Sequence, residues 1–172
     1  MSELDRMIEA NREYTATFAD GGKPMPPARH VAILTCMDAR IHPEPALGLK
    51  IGDAHMIRNA GGRASDDAIR SLIISSRLLG TNEFAVIHHT DCGMVTFSND
   101  DLRKKLADEA GSDASDIDFL PFSDLRQSVI DDVHRILDTP HLDDSIPVSG
   151  YIYDVHSGAL EQVVSATTRA TA

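Results

Sequence analysis

Val31-Ala32-Ile33-Leu34-Thr35-Cys36-Met37-Asp38-Ala39-Arg40 runs from an unbroken apolar segment into a cysteine, an acid and a base. A segment of strand length without polar alternation is the pattern of a strand covered on both faces, as in a parallel sheet. A second such run, Glu83 to His88, leads into His89-Thr90-Asp91-Cys92. Asp53 to Arg58 reads as a weaker strand between them, followed by a turn at Asn59-Ala60-Gly61-Gly62. Ser65 is placed to cap a helix with Ala68, Ile69, Leu72, Ile73, Ser76 and Leu79 facing inward, and Gly80 to stop it.

The outer segments complete the pattern. A helix is expected from about Asn99 to Ala110, then a small, acidic, exposed loop over 111–118. Ser123 is expected to cap a helix through Leu137, with Leu125, Val129, Val133, Ile136 and Leu137 inward and Pro140 beyond it. Val148 to Asp154 and Leu160 to Val164 flank Ser157-Gly158 as a hairpin. Strands alternating with helices predict an α/β fold, with a central, mostly parallel sheet flanked by helices and an added antiparallel C-terminal strand. Residues 2–19 read as an amphipathic helix with Ser2 as cap and Leu4, Ile8 and Phe18 near helical spacing. Gly21-Gly22 and the prolines over 24–27 then form a linker. The expected organisation is an N-terminal helical arm and linker over 1–27 and a single α/β domain over 28–172.

A formal charge of −11 argues against nucleic acid or an anionic membrane surface as partner. No run approaches the ~18 apolar residues needed to span a bilayer. Met1 to Asp20 lacks the apolar core of a secretory signal, so the two cysteines read as reduced thiols of a cytoplasmic protein. A Cys36–Cys92 disulfide is the plainer alternative.

In parallel α/β sheets, ligands gather outside the carboxyl ends of the strands, where the strand order reverses. Cys36 ends one apolar run, and a histidine and Cys92 follow another, so neighbouring strands would bring them to one crevice. Thiolate and imidazole favour zinc. Two cysteines and one histidine are one ligand short of a structural zinc site, and an open fourth position is the arrangement of catalytic zinc. His88 and His89 compete for the role, because adjacent side chains on a strand point to opposite faces. His42 reads as a loop histidine before Pro43, and Met37, Met56 and Met94 as packing residues.

The pattern C-x-D-x-R, then 48 residues, then H-x-x-C-G resembles the beta-class carbonic anhydrases. The likeness continues through Asn59-Ala60-Gly61 and covers roughly residues 29 to 155. It implies one Zn2+ per chain on Cys36, His89 and Cys92, with His88 left on the other face. It implies that Asp38 and Arg40 are the catalytic carboxylate–guanidinium pair, and that Asp38 joins the metal in a closed, water-displaced form. It also implies a substrate-binding turn at Asn59, Ala60 and Gly61. A bidentate Arg40 would keep Asp38 ionised, whereas an ordinary surface pair would contribute ~0–1 kcal/mol. The implied activity is reversible hydration of carbon dioxide to bicarbonate and a proton by zinc-bound hydroxide, in a homodimer or dimer of dimers. Hydrolysis of carbonyl sulfide or carbon disulfide is the alternative at the same type of site. A non-catalytic structural or regulatory zinc domain is the alternative of a different class. The chain has no tryptophan, and so lacks that residue of the bicarbonate-inhibition pocket of some relatives.

Overall fold

Five strands form one sheet in the order β2-β1-β3-β4-β5 in a computed structural model that describes residues 1–171. They are β1 (Val31–Cys36), β2 (Ala54–Asn59), β3 (Glu83–His89), β4 (Val148–Tyr153) and β5 (Leu160–Thr167). The pairs β1–β2, β1–β3 and β3–β4 are parallel, and β4–β5 is antiparallel. The central strands are the continuous apolar runs, since only a strand shielded on both faces can carry them. From β1 the chain moves one way to β2, then returns past β1 to β3. The carboxyl ends of β1 and β3 therefore flank the point where strand order reverses.

Five helices accompany the sheet: α1 (Glu3–Thr15), α2 (Pro43–Ala46), α3 (Asp66–Leu79), α4 (Asn99–Ala110) and α5 (Leu125–Leu137). The crossovers β2-α3-β3 and β3-α5-β4 run in the same direction across the sheet, so right-handed connections put both helices on one face. Ala68 and Leu72 of α3 and Val133 and Ile136 of α5 accordingly share a core with Ala32, Leu34, Phe84, Val86 and Val148, alternate residues of three strands. Full burial of a side chain such as Leu72, Leu34 or Phe84 contributes ~1.5–3 kcal/mol. Truncating Leu72 to alanine is the change that would most simply damage this layer, at ~2–5 kcal/mol.

The helix signals held with three adjustments. Ser65 accepts from the Ala68 N–H, and Gly80 ends α3 in the left-handed conformation, but Ser75 rather than Ser76 is buried. The α5 cap is Asp124, whose side chain accepts from the Gln127 N–H, and not Ser123. Two cap-forming residues stand side by side there, and backbone direction chooses between them. The first helix ends at Thr15, short of the expected 19, and none of its residues is buried. Leu4, Met7, Ile8, Tyr14 and Phe18 are exposed, so nothing in a single chain covers its apolar residues. Among the described residues, no helix is long and apolar enough to cross a membrane.

Candidate metal centre

Cys36 is the last residue of β1 and His89 the last of β3, so adjacent parallel strands deliver both to one end of the sheet. The chain then turns through Asp91, held at φ 54°, and brings Cys92 back beneath them. The ligand atoms of Cys36, His89 and Cys92 all lie within 4.8 Å of one another, and all three residues are buried. Both cysteines are free thiols, so the disulfide alternative is not formed.

His89 decides the chemistry. Its Nδ1 lies 2.8 Å from the Thr90 carbonyl oxygen, which can only accept, so the ring proton sits on Nδ1. In the neutral ring Nε2 then carries the lone pair, buried and without a hydrogen-bond partner. A buried unpaired nitrogen costs ~1–3 kcal/mol unless something binds it. A nitrogen lone pair aimed at two sulfurs is a donor set that suits zinc, and the carbonyl behind the ring is the usual support for such a ligand.

The sulfurs are prepared for charge. A hydrogen bond from the Cys92 thiol outweighs the opposing effect of burial and brings the Cys36 thiol down to about 4, assisted by His89 and by the backbone N–H groups of Asp38 and Gly61. Cys92 is pushed up by that same bond and by burial, so without a cation the pair holds one negative charge. Burial works against a proton on His89, but the neighbouring Cys36 sulfur draws one and raises the histidine overall.

Asp38 and Arg40 stand at the rim. Arg40 Nε and Nη2 donate to Asp38 Oδ1 and Oδ2 at 3.0 Å and 2.8 Å, and the Arg40 backbone N–H adds a third bond at 2.8 Å. These bonds hold the Asp38 carboxyl well below the usual carboxylate range. Arg40 Nη2 is itself anchored on the Asp91 carbonyl at 3.0 Å. Thr90 and Asp91, between the ligand positions, thus contribute through their backbone oxygens.

Asn59, Ala60 and Gly61 lie beside the cysteine, and the Asn59 side chain is engaged internally. The Asn59 side chain exchanges 2.7 Å bonds with the backbone of Arg63, and the Gly61 backbone helps to lower the Cys36 thiol. His88 faces away, towards Ser128 at 2.8 Å, as expected of the opposite side of the strand. His42 is 80% exposed and has Glu44 3.9 Å away, so it is placed as a loop histidine. Met94 packs in the cluster of Cys36 and Cys92, whereas Met37 is exposed and not a packing residue.

Sequence reasoning missed Arg58. Its guanidinium donates to the carbonyls of Cys36 at 2.9 Å and Asp38 at 2.8 Å, fixing the backbone between ligand and acid. A lone arginine at the end of a short strand was the available signal.

The comparisons with known proteins agree with this geometry. A family profile described as Carbonic anhydrase matches residues 31–160. Beta-carbonic anhydrase 1 of Mycobacterium tuberculosis is 44% identical over 168 residues, spanning 95% of this chain and 99% of its own. A protein named carbon disulfide hydrolase from Saccharolobus solfataricus is 33% identical over 183 residues, spanning 92% and 88% respectively. The crystal structure of a carbonic anhydrase from Streptococcus mutans superposes with a TM-score of 0.91 at 48% identity, covering 95% of this chain and 98% of that one. Two apolar strands ending on paired cysteine and histidine motifs, the sheet that joins them and these relatives lead to one assignment: the chain belongs to the beta-carbonic anhydrases.

Proposed function

We propose that this protein catalyses the reversible hydration of carbon dioxide to bicarbonate and a proton, with Cys36, His89 and Cys92 holding one zinc ion. The observation that carries the proposal is the orphaned Nε2 of His89, buried beside two thiols, with an ionised carboxylate at the rim. When bound, zinc supplies a Lewis acid that lets water ionise near neutral pH.

The chain's own residues supply the rest. Asp38 can only accept hydrogen bonds while ionised, so it takes the proton side of the attacking water and turns the oxygen lone pair towards substrate. Arg40 keeps Asp38 ionised and in place, and the Asp91 carbonyl keeps Arg40 in place. Ile41, Met94, Phe97, Phe122, Tyr153 and Val155 pack around the two cysteines and give the site an apolar wall suited to a small uncharged gas. The turn at Asn59, Ala60 and Gly61 serves substrate through its shape, because the Asn59 side chain is committed to Arg63.

A closed form, with Asp38 on the metal in place of water, requires Arg40 to release the carboxylate. Oδ2 already stands 3.8 Å from His89 Nε2, so a short swing suffices. A purely structural zinc site would need a permanent fourth ligand. Asp38 is tied to Arg40, which makes it a conditional ligand rather than a permanent one, and His42 is exposed.

The relatives named carbon disulfide hydrolase favour one second reading, attack on carbon disulfide or carbonyl sulfide by the same groups. Stopped-flow rates on carbon dioxide and carbonyl sulfide, measured on one zinc-loaded sample, separate the two. Carbon dioxide as the faster substrate supports the proposal, and carbonyl sulfide as the faster one replaces it.

The reduced thiols suit a cytoplasmic setting. The uncovered apolar residues of α1 suit an arm over residues 1–27 that docks on a second copy, in a homodimer or dimer of dimers. Removing 1–27 then lowers the assembly mass seen by light scattering while residues 28–172 stay folded.

A further inference from the structure

Asp132 carries its carboxylate into the interface between α5 and the sheet, where it is 2% exposed, and His88 beside it is 0% exposed. The catalytic proposal uses neither group. Arg63 Nε and Nη2 grip the Asp132 oxygens at 2.8 Å and 3.2 Å, while Nη1 reaches the Leu120 carbonyl at 3.0 Å. His88 Nε2 lies 3.1 Å from Asp132 Oδ2 and 3.2 Å from the Gly62 carbonyl. Ser128 Oγ lies 2.8 Å from both the Leu125 carbonyl and His88 Nδ1. Burial pushes Asp132 up, and the bonds from His88 and Arg63 more than offset it, leaving the carboxyl below its usual range. For stability alone a packed apolar core would serve as well as this buried set.

Both ends of the network terminate on the metal centre. Gly62, held through its carbonyl, sits at φ 68° so close to β1 that a Cβ there would meet Cys36 N and Thr35 C at 2.9 Å. Gly61, one residue earlier, presents its backbone to the Cys36 thiol and helps to lower it. Phe122 stacks on His88 at 5.6 Å and lies under the Arg63 guanidinium at 5.4 Å. The same ring packs in the cluster of Cys36 and Cys92, and its backbone N–H donates to the Met94 carbonyl at 3.3 Å.

We propose that Asp132, acting through Arg63, His88 and Gly62, is a positioning residue for the metal centre that keeps the Gly61-Gly62 turn seated against the Cys36 backbone. The inference rests on reading Cys36, His89 and Cys92 as the zinc site. The backbone around a coordinating cysteine sets the direction of its sulfur, and losing such outer support costs ~10- to 100-fold in metal affinity.

The test uses the full chain and two readouts other than activity: zinc affinity by competition with a chromophoric chelator, and the thiolate-to-cobalt charge-transfer band after cobalt substitution. Asp132→Asn keeps the shape and removes the charge, and it is expected to weaken zinc binding ~10-fold or more and to move the band. Arg63→Gln is expected to act in the same direction by several-fold, and it carries the test if Asp132→Asn does not fold. Ile136→Ala opens a cavity further along α5, beside Phe84 at the opposite end of β3, and should lower stability while leaving both readouts unchanged. A folded Asp132→Asn or Arg63→Gln with wild-type affinity and band overturns the inference. So does Ile136→Ala shifting both readouts as much, since the effect would then be general loosening. A wild-type chain that takes up neither metal overturns the zinc reading itself, and the inference with it.

Discussion

Asp38 Oδ2 stands 3.8 Å from His89 Nε2 while accepting a 2.8 Å hydrogen bond from Arg40 Nη2. One oxygen is therefore both within reach of the metal position and under the control of a guanidinium. Removing the acid should leave the metal and take the rate. Asp38→Ala is expected to retain zinc by elemental analysis and to lose ~10²-fold or more in carbon dioxide hydration by stopped flow. Arg40→Gln should lose less, because the carboxylate remains. An Asp38→Ala protein with undiminished rate would remove Asp38 from the chemistry.

Gly62 is the least replaceable position of the turn. A methyl group there collides with the β1 backbone at 2.9 Å and must also adopt φ 68°. Gly62→Ala is expected to cost ~1–3 kcal/mol or more, read as a lowered Tm, and to release zinc more readily. An unchanged Tm would show that the turn can move off Cys36 freely.

Asp132 should contribute to acid stability with a defined sign. Its native carboxyl lies below the ordinary carboxylate range because of His88 and Arg63, against the opposing effect of burial. The contribution is complete above the unfolded pKa of ~3.9 and is lost as pH falls through the lower native value. Carbon-13 NMR of the labelled carboxyl is expected to show Asp132 still ionised at about pH 4. A titration midpoint at or above that pH would contradict the charged network.

Metal removal should destabilise the chain, because a ligand that binds only the folded state stabilises it by mass action, ~4 kcal/mol at a thousandfold excess over Kd. A chelator is expected to lower the wild-type Tm by several degrees and to lower that of Cys92→Ala, which lacks a ligand and holds zinc more weakly, by much less. Equal shifts in both proteins would place the chelated metal elsewhere.

The fold was legible where one signal dominated. The apolar run Val31–Cys36 and the helix Asn99–Ala110 have the boundaries expected of them, because burial and helix propensity act locally. That Cys36, His89 and Cys92 come together was legible because each motif follows a strand, and strand ends of a parallel sheet converge. The buried network was not legible: Arg63 and Asp132 are 69 residues apart, and nothing periodic connects them. One hint was available, since Asp132 stands in the inward register of Ser128, Val129, Val133 and Ile136, where a charge requires a partner. The early end of α1 at Thr15 was hidden because no packing fixes that helix in one chain.

Zinc K-edge X-ray absorption on the purified protein at neutral pH reads the central claim most directly. The account predicts two sulfur neighbours at ~2.3 Å, one imidazole nitrogen at ~2.0 Å and one further light atom, with a sulfur lost in Cys36→Ala. A shell of nitrogen and oxygen alone, or a wild-type shell unchanged by Cys36→Ala, would contradict it.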